Sequence, residues 1–325
     1  MSFILQQTLI YMIPLMIVAL AGAFSEHSGI INLALEGEMI IGALTGAIFC
    51  KLMIEYHIFS QTSQVLFLLG MLVGAFFGFL FSLLLSWAAI RFKADQTIIG
   101  TALNQLAPAI VCTIGLLLFQ QERIDSTASF VITSSRYSES FGKLVSQNGF
   151  LGFFFDKIYI STYIVIVLFI LLSIWLYKSK TGTHLRACGE HPSAADSVGI
   201  NVYRMRYLGT SISGALAGLG GFIYIVTTAG GSANSGVGGM GFLALAIMIF
   251  GNWNPLFIAL GSFLFGFLTC LGVISNTIPF LKQLGLPLYF YNMLPYLIVI
   301  IVLILTHNKS GCPKAEGIPY DKGQR

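Results

Sequence analysis

Carboxylates and carboxamides stand in this chain where a lipid-facing helix would carry none. Asn32 and Glu36 lie four residues apart in a stretch otherwise built of Ile, Leu and Ala. That spacing puts both on one face of a helix starting near Gly29, with Glu38 turned to another face. Asn104 and Gln105 interrupt a second apolar run, and Asn234 stands in a Gly-rich interval. Polar groups at membrane depth must find a partner, a cavity or a function. These side chains offer hydrogen bonding and charge, not bond cleavage. Either they line a route for a polar solute, or they tie helices together through ion pairs and interhelical hydrogen bonds. For Glu36 the second reading names Arg91 or Lys93 as the partner. Asn252 and Asn254, which bracket Trp253 beside Pro255, read as an interfacial turn.

What is missing narrows the chemistry. No GxxxxGK followed by Ser or Thr occurs, so the chain has no phosphate loop of that kind, and no HExxH pair is present. Cys50, Cys112, Cys188, Cys270 and Cys312 are far apart, with no CxxC pair and no His at metal spacing, and read as free thiols. We therefore expect no catalytic residues, no metal and no cofactor. The net charge of +4 is spread over loops and tail and marks topology rather than a nucleic-acid surface.

The elements that hold these groups follow from composition. Of 325 residues, 56% are hydrophobic and 9% charged, against about 25% charged in soluble domains. The fold class is all-α, a polytopic membrane bundle of about eight to ten spans, each needing about 20 apolar residues. Candidate spans are about 3–23, 30–50, 64–90, 95–119, 158–177, 207–228, 234–251, 255–275 and 289–306. The second and seventh are rich in Gly and polar residues and are the places for a broken or re-entrant helix. The basic turn Arg91-Phe92-Lys93, the polar interval 178–206 and the tail 307–325 belong on the cytoplasmic side, which puts the N-terminus outside. Residues 120–157 form an external loop, whose portion 129–145 suits a short hairpin or amphipathic helix. Ala21-Gly22-Ala23 is A-x-A-like, but no Lys or Arg precedes it, so a retained first span is expected.

LVGAFFGFLFS from Leu72 and LGSFLFGFLTC from Leu260 are weakly alike and belong to spans of opposite direction, as an inverted repeat requires. Gly214 and Gly218 form a GxxxG pair, read as tight helix packing. The glycines between Gly230 and Gly241 are too dense for a regular helix and mark an unwound start of the seventh span.

Lys178 to Arg206 is the longest water-facing interval. Pro192 suits the first position of a short helix and Gly199 the position past its end. Such a helix is too short to be stable alone, so it must be held by the membrane domain or by a partner.

Its sequence, GTHLRACGEHPSAADSVGINVYRMR, resembles the cytoplasmic loop of permease subunits of bacterial ABC importers of the sugar and nucleoside type. In that family a similar pattern precedes the coupling helix. FSEHSGIINLALEGEMIIGALTG, Phe24 to Gly46, resembles the nucleoside branch after its first span. The resemblance covers most of the chain and implies a single transmembrane permease domain over 1–325 with a type II importer fold, in the bacterial cytoplasmic membrane. It further implies nucleoside import through a heterodimer with a second permease, ATP bound by a separate ATPase, and an external substrate-binding lipoprotein or periplasmic protein. Riboflavin or a simple sugar is the alternative cargo. An ion-coupled secondary transporter, with Glu36 as its titrating carboxylate, is the alternative class. Under the resemblance Glu190, Pro192, Ala194, Ala195, Asp196, Val198 and Gly199 meet the ATPase, with Ala194, Ala195 and Val198 as a small apolar face. Asn32, Glu36, Asn104, Gln105 and Asn234 are the route candidates.

Overall fold

A computed structural model describes residues 2–58, 64–125, 130, 158–275, 287–306 and 311–322. Long apolar runs become helices because lipid leaves backbone groups no other partner. They are α1 (Ser2–His27), α2 (Leu35–Glu55), α3 (Gln64–Arg91), α4 (Gln96–Phe119) and α5 (Ile160–Lys178). Two helices of the polar interval follow, α6 (Lys180–Glu190) and α7 (Pro192–Ser197). The rest are α8 (Val202–Thr227), α9 (Met240–Phe250), α10 (Pro255–Ile274) and α11 (Leu288–Thr306). Among the described residues seven helices, α1 to α5, α8 and α10, are long and apolar enough to cross a membrane. With α9 and α11, they occupy the nine intervals expected from hydropathy.

Helix starts are set by short polar side chains. Asp95 accepts the Thr97 and Ile98 N–H groups at the head of α4, Ser179 accepts from Gly182, Asn201 from Arg204 and Asn254 from Leu256. Each satisfies a donor that the helix leaves unpaired.

Helix α8 is the centre of the bundle, packed on α1, α2 and α3. The contact is backbone to backbone. A Cβ at Gly218 would run into the Gly74 carbonyl oxygen, and one at Gly214 into Ser82. The GxxxG pair therefore packs as expected, and Gly42 and Gly78 complete the small-residue seam.

One end of the bundle is marked by the tail, residues 311–322. Asp321 pairs with Lys93, just after α3, and the Gly311 N–H reaches Asn252, just before α10. Helix α3 thus runs toward the tail end and α10 away from it, the opposed directions expected of the two similar segments. At the far end a two-residue antiparallel ladder joins β1 (Ile124–Asp125) to β2 (Ser232–Ala233). The segment 129–145 lies outside the described residues except Phe130, whose ring stacks on Phe67 at 5.1 Å.

Candidate functional site

The seventh interval is indeed broken. Helix α9 has 11 residues, so it is about 16 Å long, half of a hydrocarbon core of about 30 Å. It ends at the tail end, where the Trp253 Nε1–H donates to Glu26 at 2.5 Å and the Trp253 carbonyl accepts from the Tyr177 hydroxyl at 3.1 Å. Its N-terminus therefore opens midway through the bundle, after 234–239 has returned from the far end.

Glu36 closes that N-terminus. Its carboxylate accepts the Gly239 N–H at 2.9 Å and the Gly241 N–H at 2.6 Å. Gly238 and Gly239 have φ of +68° and +75°, a left-handed backbone that turns the chain into the helix and points its free N–H groups at the acid. At Gly241 a Cβ would collide with the Glu36 backbone, so only glycine allows the approach. Negative charge at a helix N-terminus is favoured by the helix dipole and by the unpaired donors together.

Around this clasp the backbone is non-helical, and Asn234, Ser235, Gly236 and Gly238 are exposed in the single chain. Irregular backbone at membrane depth is tolerated only against protein or a water-filled cavity, never against lipid. A cavity of about 240 Å³ lies beside it, lined by Gly238, Met240, Leu243, Thr269, Pro295 and Tyr296. Asn234 itself turns its Oδ1 to the Gly236 N–H at 3.2 Å.

The other route candidates are distributed differently from expectation. Asn32 does not share a helical face with Glu36, because α2 starts at Leu35. Its Oδ1 accepts the Ala34 N–H at 3.0 Å, a local turn that competes with helix formation. Its Nδ2 donates to both oxygens of Glu38, at 3.1 and 3.0 Å, and to Ser213 at 2.9 Å. Glu36 pairs with neither Arg91 nor Lys93; backbone amides take its charge, and Lys93 pairs with Asp321. Asn104 ties α4 to the start of α2, donating to the Leu33 carbonyl at 2.6 Å and accepting the Gly37 N–H at 2.8 Å. Gln105 is exposed on the outer face of α4. Asn252 and Trp253 form the expected turn, with φ of +52° and +58°.

At the tail end Pro192 opens α7 at its first turn and Gly199, with φ of +87°, follows it. The apolar face assigned to α7 splits in two. Ala195 is buried with Cys188, Val202 and Tyr320, whereas Ala194 and Val198 face outward, Val198 at 75% exposure. A helix held on the bundle by one side must turn that side inward, so Ala195 anchors α7 while Ala194 and Val198 stay on its outward side. Glu190 is exposed and Asp196 faces Lys322 at 3.6 Å. Arg186 sits over the Tyr177 ring, 4.7 Å from its centroid.

Three features carry no sequence signal strong enough to single them out. They are the Glu26–Trp253 bond, the buried Arg206 and the docking of the tail. A charged residue at the end of an apolar run is common at interfaces, and nothing in spacing links Glu26 to a Trp 227 positions on.

Residues 4–303 match the family model described as "Branched-chain amino acid transport system / permease component". Over 325 residues, 100% of this chain and 98% of the relative, the sequence is 38% identical to the guanosine ABC transporter permease protein NupQ of Bacillus subtilis. It is also 38% identical to the nucleoside ABC transporter permease protein NupC of Lactococcus lactis, over 100% of this chain and 98% of that one. The nucleoside ABC transporter permease protein NupB of the same Lactococcus strain is 24% identical over 96% of this chain and 82% of its own length. No solved structure is significantly similar.

Proposed function

The chain belongs to the permease-component family of branched-chain amino acid transport systems, and from that membership we propose that it is the membrane subunit of an ATP-driven nucleoside importer. It pairs with a second, different permease, works with a separate ATPase at the tail end and receives solute from an external binding protein. The tail end is cytoplasmic and the N-terminus external, which agrees with the basic turn at Arg91 and Lys93 and with the basic tail. One strain carries two nucleoside permeases, and this chain is nearer one than the other, which supports a heterodimer.

The observation that carries the reading is the Glu36 clasp on α9. A half-helix that begins at mid-depth beside exposed, non-helical backbone gives a polar solute hydrogen-bonding partners where lipid offers none. The exposed face from Asn234 to Gly238 is completed by the second permease. Glu36 sets the position of α9, so a shift of the loop before α2 moves the half-helix with it. ATP is hydrolysed elsewhere, by the partner whose cleft takes the outward side of α7.

Uptake of labelled guanosine by proteoliposomes holding both permeases, the ATPase and the binding protein tests this. Uptake is expected to need internal ATP and to survive an uncoupler, while the purified single chain hydrolyses no ATP. Uptake that ignores ATP and collapses with the ion gradient would replace this reading with that of a secondary transporter.

A further inference from the structure

Residues 311–322 cross the tail end and touch the segments that a partner docking there would move. Near the start of this stretch the Ala315 N–H donates to the Gly189 carbonyl at 2.8 Å, in the last turn of α6. Next, the Gly317 N–H donates to the Gly29 carbonyl at 3.3 Å, in the loop between α1 and α2. The Ile318 carbonyl accepts from Arg206 Nη2 at 3.0 Å. The Tyr320 ring lies 5.4 Å from that of Tyr203 and shares the small core that buries Ala195 of α7. Asp321 holds Lys93 at 2.6 Å, and Lys322 reaches Asp196 at 3.6 Å.

Arg206 shows how closely the tail is fitted. It is 2% exposed, and among the described residues no carboxylate lies within ion-pair distance of it. A buried charge demands hydrogen-bond acceptors, and the tail supplies one in the Ile318 carbonyl. The stretch is also stiff, since Pro313 and Pro319 fix their φ angles and Gly317 makes a set turn at φ +74°.

From Tyr320 to Gly317 is three residues, yet they join two places far apart in sequence. One is the inward side of α7. The other is the loop that carries Asn32, bonded to Glu38, and leads directly into Glu36 and its clasp on α9. Along the chain, α7 leads back to Glu36 only through α6, α5, α4, α3 and most of α2, and forward through the whole of α8 it reaches α9 instead.

We propose that residues 311–322 are a strut that transmits displacement of α7 to the α1–α2 loop, and through Glu36 to α9, so that solute movement follows ATP hydrolysis. The tail residues are positioning residues and touch neither nucleotide nor solute. The strut rests on the reading of α7 as the ATPase contact, and the experiment separates the two.

The complete transporter in liposomes is assayed for bound ATPase, ATP hydrolysis and uptake per ATP. The variants are Val198→Glu, a chain ending after Ser310, and Asp321→Lys alone and combined with Lys93→Asp. Val198→Glu is expected to release the ATPase. The shortened chain is expected to keep the ATPase, with an unchanged KM for ATP, while uptake per ATP falls about tenfold. Asp321→Lys should lower uptake per ATP about twofold to fivefold, the range of an exposed pair, and Lys93→Asp should restore it. Unchanged uptake per ATP in the shortened chain overturns the strut and leaves the α7 contact standing. Val198→Glu without effect overturns both. If the shortened chain does not accumulate, the charge pair decides: a ratio unaltered by Asp321→Lys, or one not restored by Lys93→Asp, overturns the strut.

Discussion

Glu36 at the head of α2 holds Gly241 at the head of α9, carboxylate to backbone N–H at 2.6 Å, across 205 positions of sequence. The same carboxylate holds Gly239. Two helix N-termini thus meet at one acid. Glu36→Ala leaves both amide donors without that acceptor, at about 1–3 kcal/mol for each buried group. Thermal unfolding in detergent should therefore fall by several degrees, and uptake by tenfold or more. Glu36→Gln keeps one acceptor oxygen but sets an NH₂ group against the second amide, so an intermediate loss is expected. A Glu36→Ala protein of normal Tm and normal transport would show that α9 needs no clasp.

Asn104 and Asn234 were equal as route candidates, and their surroundings now separate them. Asn104→Leu strands the Leu33 carbonyl and the Gly37 N–H, so it should lower stability by about 2–3 kcal/mol and reduce the amount of folded protein. Asn234→Leu alters an exposed residue and should leave Tm within a degree or two while reducing uptake. The two effects are read by size-exclusion yield, Tm and initial uptake rate. The reverse assignment would move the route away from 234–239.

The spans were legible because a helix in lipid announces itself by about 20 apolar residues, whatever it packs against. Pro192 and Gly199 were legible for a similar reason, since each acts through its own backbone geometry. The clasp was not. Glu36 binds main-chain amides, which no residue type marks, and Asn32 spends its side-chain oxygen on delaying the helix that its spacing suggested. In α7, six residues are too few for a period to reveal the inward side, and the choice of Ala195 depends on Tyr320, 125 positions later.

Glycine at the seam of α8 is open to a direct test. A Cβ at Gly218 meets the Gly74 carbonyl and the Gly78 backbone, which cannot yield as a flexible side chain would. Gly218→Val should separate α3 from α8 and prevent accumulation of folded protein, whereas Gly236→Ala, with open space at its Cβ, should leave the yield of folded protein unchanged. Normal yield of Gly218→Val would show that the helices do not pack this closely.

The tail carries a pH dependence of definite sign. Burial pushes the Glu316 carboxyl above the usual carboxylate range, and it faces Glu26 and the Cys312 thiol, whose Sγ is 2.6 Å away. A carboxyl with its folded pKa raised binds its proton more tightly when docked than when free. Its contribution is therefore complete below the ordinary carboxylate pKa and is lost as pH rises through the raised value. Limited proteolysis of the tail should accelerate across that interval, and Glu316→Gln should flatten the profile. A tail better protected at higher pH would contradict the sign.

The division of α7 into two sides leads to the last prediction. Ala194→Arg places a long cation on the outward side, with no change to the core formed by Cys188, Ala195, Val202 and Tyr320. It should leave Tm unchanged and abolish co-purification of the ATPase, since a partner cleft fitted to a small side chain cannot accept it. Ala195→Arg drives the same cation into a site that is 4% exposed. It must expel Tyr320 or leave a buried charge without a partner, at a cost of several kcal/mol. The tail should then become protease-sensitive, and the ATPase should be lost only as a consequence. Tail proteolysis and ATPase pull-down, run together on both variants, give four readings. If Ala194→Arg keeps the ATPase while Ala195→Arg loses it with an intact tail, the inward side is the contact, and α7 must swing away from the bundle when its partner binds.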